Sequence, residues 1–458
     1  MSTETARERV SIVAMSSHAQ PANPRPRWLQ GALPIAVAAM VASTGLERVD
    51  LLAGRGPFTL TPAVLMSTVM VGLALTGLTT RTMRLRITPF LGVAACLVFV
   101  AFASVILNGA SVTGLGRAGL FTLSVVGASI AVAIAAATSN MRALRFGAGV
   151  ALLLYAAFAL AQLVLWIALP LSALADLHFG IVDLTVKQLG SELPRITGST
   201  VDANRSCLTL SMIATLLLGP LPGQRPLDKP REALIVTVLG VFALATLSRS
   251  GIVLFVIVLA GVWALPRLSR LSRRTVVLAV CSAVVLAAIA LLTVAWLAPD
   301  FIDYIVRTRL TVRPGDSASV HFALIEHAVG LVLSDPTILL TGIGFGTAYT
   351  VLGGFGAIAH AGDHANFHSA YLTALVEMGA LGLIALAILL FRPIATRWWA
   401  ISVGLAWFGV FYQSLNDSSQ WLLLALAWTM LGNSAQAEER SFITLAATSP
   451  LRQRFRDL

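Results

Sequence analysis

TPFLGVAACLVFVAFASVIL, residues 88–107, is twenty residues long and carries no charge. A helix rises 1.5 Å per residue, so this run covers about 30 Å, the thickness of a hydrocarbon core. No water at that depth satisfies backbone groups, and a run of this kind must therefore be helical. A membrane barrel would show short alternating segments instead. Just ahead of the run stand Arg81, Arg84 and Arg86, a cluster that reads as a cytoplasmic anchor.

Similar runs recur on both sides of this one. Hydrophobic residues make up 57% of the 458-residue chain, charged residues 12%, and the mean hydropathy is +0.84. A soluble domain carries about twice that charged fraction. Twelve spans are predicted, near 29–46, 58–79, 88–107, 115–137, 146–170 and 204–219, then 233–248, 250–265, 275–298, 370–391, 398–413 and 419–434. The expected fold is an all-α polytopic membrane protein with a long extracytoplasmic loop between spans nine and ten. Residues 1–28 read as a cytoplasmic tail rather than a signal peptide, 29–434 as the transmembrane domain, and 435–458 as a second cytoplasmic tail.

The net charge of +11 suggests a nucleic-acid footprint until its placement is considered. The basic residues sit in short loops, not along one soluble face, and nucleic acid is set aside as a partner. With the N-terminus inside, the inner loops hold Arg81, Arg84, Arg86, Arg142, Arg145, Arg225, Lys229, Arg231, Arg267, Arg270, Arg273, Arg274, Arg392 and Arg397. Short outer segments hold only Arg48, Arg55, Arg117 and Arg249. That asymmetry fixes the expected orientation, with both termini cytoplasmic. Cys96, Cys207 and Cys281 fall in or beside spans and read as small packing residues.

Two outer segments, 171–203 and 299–369, are too long to be connectors and are expected to carry function. Basic residues on that face run against the orientation rule and need a reason: Lys187, Arg195, Arg205, Arg249, Arg307, Arg309 and Arg313. Arg249 stands in LSRSG (247–251) between two apolar spans. It reads either as a phosphate- or carboxylate-holding group or as an arginine snorkelling to headgroups. Arg195 lies in PRITGSTVDANR (194–205), where Gly198 suggests a tight turn, Asn204 a cap for the next span, and Arg205 a place at its mouth. Pairing of Arg195 with Glu192 or Asp202 is the alternative.

His360, His364 and His368 are spaced four apart, a pattern met in zinc sites. Gly362 and the absence of an HExxH pattern argue against a metal, and none is expected. His368 differs from the other two. It opens a span, is followed by Tyr371, and has the suitable pKa range for a general base. Glu377 is an intramembrane carboxylate, read either as functional or as an interhelical hydrogen-bonding group.

These residues, taken in order, resemble the O-antigen ligase and polymerase family of bacterial membrane glycosyltransferases. The likeness rests on PRITGSTVDAN, on LSRSG, and on a long outer loop containing SDPTILLTGIGFG (334–346) and closed by NFHSAYLTALVEMGALG (366–382). It covers roughly residues 195–390.

The resemblance implies transfer of a glycan from a polyprenyl-pyrophosphate carrier, such as undecaprenyl pyrophosphate, to a hydroxyl on a glycan or lipid acceptor. The reaction would take place at the outer face of the bacterial inner membrane, without cofactor or metal. His368 would activate the acceptor, and Arg249 and Arg195 would hold the pyrophosphate. Arg205, Asn204, Tyr371, Glu377 and Arg313 would contribute to substrate binding. SVHFALIEHAVGLVLSDP (319–336) departs from the family pattern: it has His321 and Glu326 where an arginine-initiated aromatic helix is expected, which favours a polymerase or divergent member over a lipopolysaccharide ligase. The competing readings are a transporter or flippase of an anionic lipid-linked substrate, and a metal-dependent hydrolase.

Overall fold

The computed structural model describes residues 27–52, 59–80, 88–138, 140–174, 177–189, 193–269, 317–352, 366–396 and 398–430, with positions 272, 274, 275 and 293. The chain folds into helices α1 (Arg27–Ser43), α2 (Pro62–Thr79), α3 (Pro89–Leu107), α4 (Val112–Ala137) and α5 (Met141–Ala168). Two short strand pairs follow: β1 (His178–Phe179) with β2 (Val182–Asp183), and β3 (Lys187–Leu189) with β4 (Leu193–Arg195). Then come α6 (Ala203–Leu218), α7 (Lys229–Ala245), α8 (Arg249–Leu268, with a π-helical segment Ala260–Ala264), α9 (Ser317–Ser334), α10 (Ala370–Phe391), α11 (Trp399–Phe411) and α12 (418–430).

Among the described residues six helices are long and apolar enough to cross a membrane: Pro62–Thr79, Pro89–Leu107, Val112–Ala137, Met141–Ala168, Arg249–Leu268 and Ala370–Ile394. This makes the chain a multi-pass helical membrane protein. Every predicted span inside the described residues falls on a helix, and the predicted span 275–298 lies outside them. The strand pairs depart from the all-α expectation. They lie between α5 and α6 in the more polar segment of the chain, and both pair antiparallel, His178 with Asp183 and Lys187 with Arg195.

Helix starts follow capping chemistry. Thr88 accepts a hydrogen bond from the Leu91 backbone N–H at 3.3 Å with Pro89 beginning the helix, and Ser111 accepts from Gly114 N–H at 3.1 Å. Inside the bundle α6 is the enclosed helix. Every residue from Ser206 to Leu218 is buried, with α8, α5 and α7 packed around it. The outward faces of α3 and α5 expose Phe99, Ile106, Leu153, Leu160 and Ile167, the pattern of helices that meet lipid.

A polar layer lies where α1, the strand pairs and α6 meet. Arg48 is 2% exposed. Its Nε donates to the Thr200 carbonyl at 2.8 Å, Nη2 to Thr197 Oγ1 at 2.7 Å, and Nη1 to the Asp183 carbonyl at 3.1 Å, with Asp183 Oδ2 at 3.3 Å. Gln162 on α5 accepts from the backbone N–H of Thr197 and Gly198 at 3.1 and 2.9 Å. Gly198 has φ +56°, and a Cβ there would sit 2.6 Å from the Tyr155 ring, so the expected turn is present and only glycine fits it. These contacts hold the segment 195–202 rigidly against α1 and α5.

Candidate functional site

The N-termini of α6, α8 and α10 meet beside a cavity of about 360 Å³. Its polar wall is Arg195, Asn204, Ser248, Arg249, Ser250 and Ser369. Val253, Phe322, Ile325, Trp407, Val410 and Phe411 make an apolar wall, and His321 lies among them. Each helix start is built by a local cap. Asp202, not the expected Asn204, caps α6, accepting from Asn204 N–H at 2.7 Å and Arg205 N–H at 3.4 Å. The reason is register. Helix geometry begins at Ala203, so Asp202 occupies the capping position and Asn204 lies within the first turn. Asn204 Oδ1 instead accepts from Ser248 Oγ and, at 3.1 Å, from Ser250 Oγ, tying α6 to α8. Ser248 in turn caps α8 through Gly251 N–H at 3.1 Å. Ser369 caps α10 through Leu372 N–H at 3.4 Å.

Three helix N-termini contribute residues to this one lining, which brings three positive macrodipole ends near it. Arg195 and Arg249 add two full charges. Arg195 donates from Nε to the Thr246 carbonyl at 3.2 Å, which orients its guanidinium beside the start of α8. Burial pulls the Arg195 pKa down and nearby Asp202 raises it, while Arg249 opposes the charge. Such a site is electrostatically suited to a polyvalent anion.

Two non-glycine residues at this cavity have left-handed backbones, Leu247 at φ 52° and His368 at φ 50°. Each conformation costs on the order of 1–2 kcal/mol, and strain of this kind concentrates at functional sites. At His368 it is held by its own N–H donating to Asn366 Oδ1 at 2.8 Å. The His368 ring packs edge-to-face on His321, with centroids 5.2 Å apart and planes at 90°. Burial lowers the His368 pKa from the ordinary imidazole value, and the Asp202 carboxylate works in the opposite direction.

The cavity thus gathers Arg195, Asn204 and Arg249, and it includes Phe367 and Ser369 on either side of His368. Other residues expected at the site are engaged elsewhere. Tyr371 donates its hydroxyl to the Ala406 carbonyl at 2.9 Å, joining α10 to α11. Arg205 is ion-paired with Glu47 at 3.1 Å and donates from Nε to the Tyr412 hydroxyl at 2.9 Å. The Glu377 carboxylate accepts from the backbone N–H of Gly346 and Ala348 at 2.8 and 3.0 Å, and its carbonyl accepts from Gly344 N–H at 3.2 Å and from Ser104 Oγ. It therefore pins the glycine-rich 342–348 segment. Arg313, His360, His364 and Cys281 lie outside the described residues. Among the described residues no cluster of metal-ligating side chains forms.

Sequence reasoning named Asp202 only as an alternative partner of Arg195 and missed Glu47 and Asp417, because Glu47 pairs with Arg205, far away in the chain, and Asp417 is brought near that pair only by packing. Asp417 is 2% exposed, accepts from Ser419 N–H at 2.8 Å, and leaves Oδ2 without a hydrogen bond. Burial and the Glu47 charge raise its pKa. Unfolded, it ionises near ~3.9. The folded state therefore binds more protons across the interval above that value, and stability falls as pH rises through it. Asp417→Asn, which removes the charge, is expected to raise the thermal midpoint by about 2–4 °C at pH 8 and to give no gain at pH 4. Thermal denaturation in detergent followed by size-exclusion fluorescence measures both.

A search of curated proteins finds no match to this chain. Residues 233–387 match the family model described as O-Antigen ligase. The matched stretch runs from within α7 through α8 and α9 into α10, and so contains Arg249, His321 and His368 while Arg195 precedes it. Over that stretch, about a third of the chain, the protein is similar to the O-antigen ligase family.

Proposed function

We propose that this protein transfers a glycan from a polyprenyl-pyrophosphate carrier to an acceptor hydroxyl at the outer face of the bacterial inner membrane. This reading takes twelve spans with both termini cytoplasmic, the orientation that the arginine-rich loops favour, and in that topology the cavity opens on the outer face. The supporting observation is the convergence of Arg195, Arg249 and three helix N-termini on one cavity whose other wall is apolar. The charged wall suits a pyrophosphate, and Trp407, Val410 and Phe411 offer its lipid tail an apolar surface.

In the reaction the acceptor oxygen attacks the anomeric carbon, and the bond from that carbon to the phosphate oxygen breaks. The electron pair leaves with the pyrophosphate, whose negative charge grows. Guanidiniums fixed beside it stabilise the transition state more than the ground state, which gives the chain a source of charge stabilisation in its own residues. The acceptor proton passes to the His368 ring. Burial keeps that ring neutral at physiological pH, the state a base requires.

The deciding experiment uses detergent-solubilised membranes from cells deleted for the gene and expressing the chain, with EDTA present. Release of polyprenyl pyrophosphate is expected, and His368→Ala is expected to abolish it. Normal turnover in that variant would remove the base assignment. Uptake of the lipid-linked substrate without covalent change would favour a transporter.

A pH dependence follows with a definite sign. His368 works deprotonated and its pKa lies below the ordinary value, so activity should persist on the acid side until pH falls under ~6.5. The pH profile of kcat/KM measures this limb, and a limb well above that value would contradict the environment of His368.

A further inference from the structure

Resting on that reading, we propose that His321 is a second substrate-contacting imidazole, which seats the acceptor hydroxyl against the departing phosphate. Of the two rings in edge-to-face contact, His321 lines the cavity, whereas His368 contributes its neighbours Phe367 and Ser369. α9 supplies three residues to the wall, His321, Phe322 and Ile325, and His321 alone of them is polar. A hydroxyl group approaching from the α9 side therefore has one hydrogen-bonding side chain to meet. Arg249 and Arg195, which hold the phosphate in this reading, line the same cavity.

The chemistry suits this position. A neutral imidazole has one N–H donor and one lone-pair acceptor. Facing both substrates, it can accept from the acceptor O–H and donate to a phosphate oxygen, bringing nucleophile and leaving group into register. Burial, reinforced by the charges of His368 and Arg249, lowers the His321 pKa to about 4, so it remains neutral throughout the cycle. Proton transfer is then left to His368, packed against it at 5.2 Å. His321 forms and breaks no covalent bond. The attacking oxygen bonds the anomeric carbon, the carbon–phosphate-oxygen bond breaks, and the proton ends on His368.

The test compares His321→Phe, which keeps a ring of similar bulk against His368 but cannot hydrogen-bond, with His321→Gln, which keeps hydrogen bonding but loses the ring. Initial rates of polyprenyl pyrophosphate release are measured in solubilised membranes of the deletion strain. Binding of inorganic pyrophosphate to the purified variants is measured alongside. His321→Phe should lower the rate about 30- to 100-fold with pyrophosphate binding weakened by no more than about tenfold, the worth of one hydrogen bond, whereas His321→Gln should stay within about tenfold in rate. A phenylalanine variant within about threefold of wild type would reduce His321 to packing and overturn the proposal. So would a glutamine variant as slow as the phenylalanine one, or loss of pyrophosphate binding in His321→Phe. Two controls separate the levels: no polyprenyl pyrophosphate release by the wild-type protein defeats the underlying transferase reading, while an inactive His368→Ala beside an active His321→Phe defeats only this one.

Discussion

Arg249→Ala is expected to slow glycan transfer by about 10²–10³, equivalent to about 2.7–4 kcal/mol of lost transition-state stabilisation. Arg249 starts α8, where Ser248 caps the helix and Asn204 anchors the cap from α6, so its position is set before substrate arrives. Its charge lies beside Arg195 at the positive end of a helix dipole. The effect should appear in kcat more than in KM, because the leaving pyrophosphate gains charge only as its bond breaks. Arg249→Lys preserves the charge but loses the two-pronged geometry, and a loss of about tenfold is expected. Arg195→Ala combined with Arg249→Ala should cost less than the product of the single losses, since both act on one group. Single-turnover rates with carrier-linked glycan measure all three. Turnover unchanged in Arg249→Ala would detach the cavity from the chemistry.

Glu377→Ala is expected to destabilise the fold by about 2–6 kcal/mol, because two buried backbone N–H groups, those of Gly346 and Ala348, lose their acceptor at about 1–3 kcal/mol each. Glu377 is 3% exposed, and water cannot readily replace it. Glu377→Gln retains one acceptor and should cost about half as much. The segment it pins cannot adapt easily. Gly342 has φ +65°, and a Cβ there would run into the Glu377 carbonyl. Asn108 and Arg117 reach the same segment, donating to the carbonyls of Gly342 and Gly346. Survival of monodisperse protein after graded heating measures the loss. A wild-type melting profile in Glu377→Ala would mean that these hydrogen bonds are dispensable.

Much of this protein was legible in the chain itself. Apolar runs such as 88–107 determine helix, because backbone groups in hydrocarbon have no partner except one another. Arg249, Arg195 and His368 could be singled out, since charge and imidazole beside apolar spans are costly and call for a reason. The sequence could also locate the turn at Gly198.

Residues distant in the chain were assigned to partners only by the tertiary structure. Arg205 and Arg249 look alike in sequence, yet Arg205 is ion-paired with Glu47, 158 positions away, while Arg249 faces the cavity. Glu377 and Tyr371 were drawn to backbone partners in the 342–348 segment and in α11. His321, in a stretch that departs from the family pattern, became significant only where α9 brings it against His368. The physical reason is range. Burial of apolar area and helix capping act over a few residues and leave periodic or local marks in the chain. Ion pairing and hydrogen bonding between helices depend on which faces meet, and packing alone decides that.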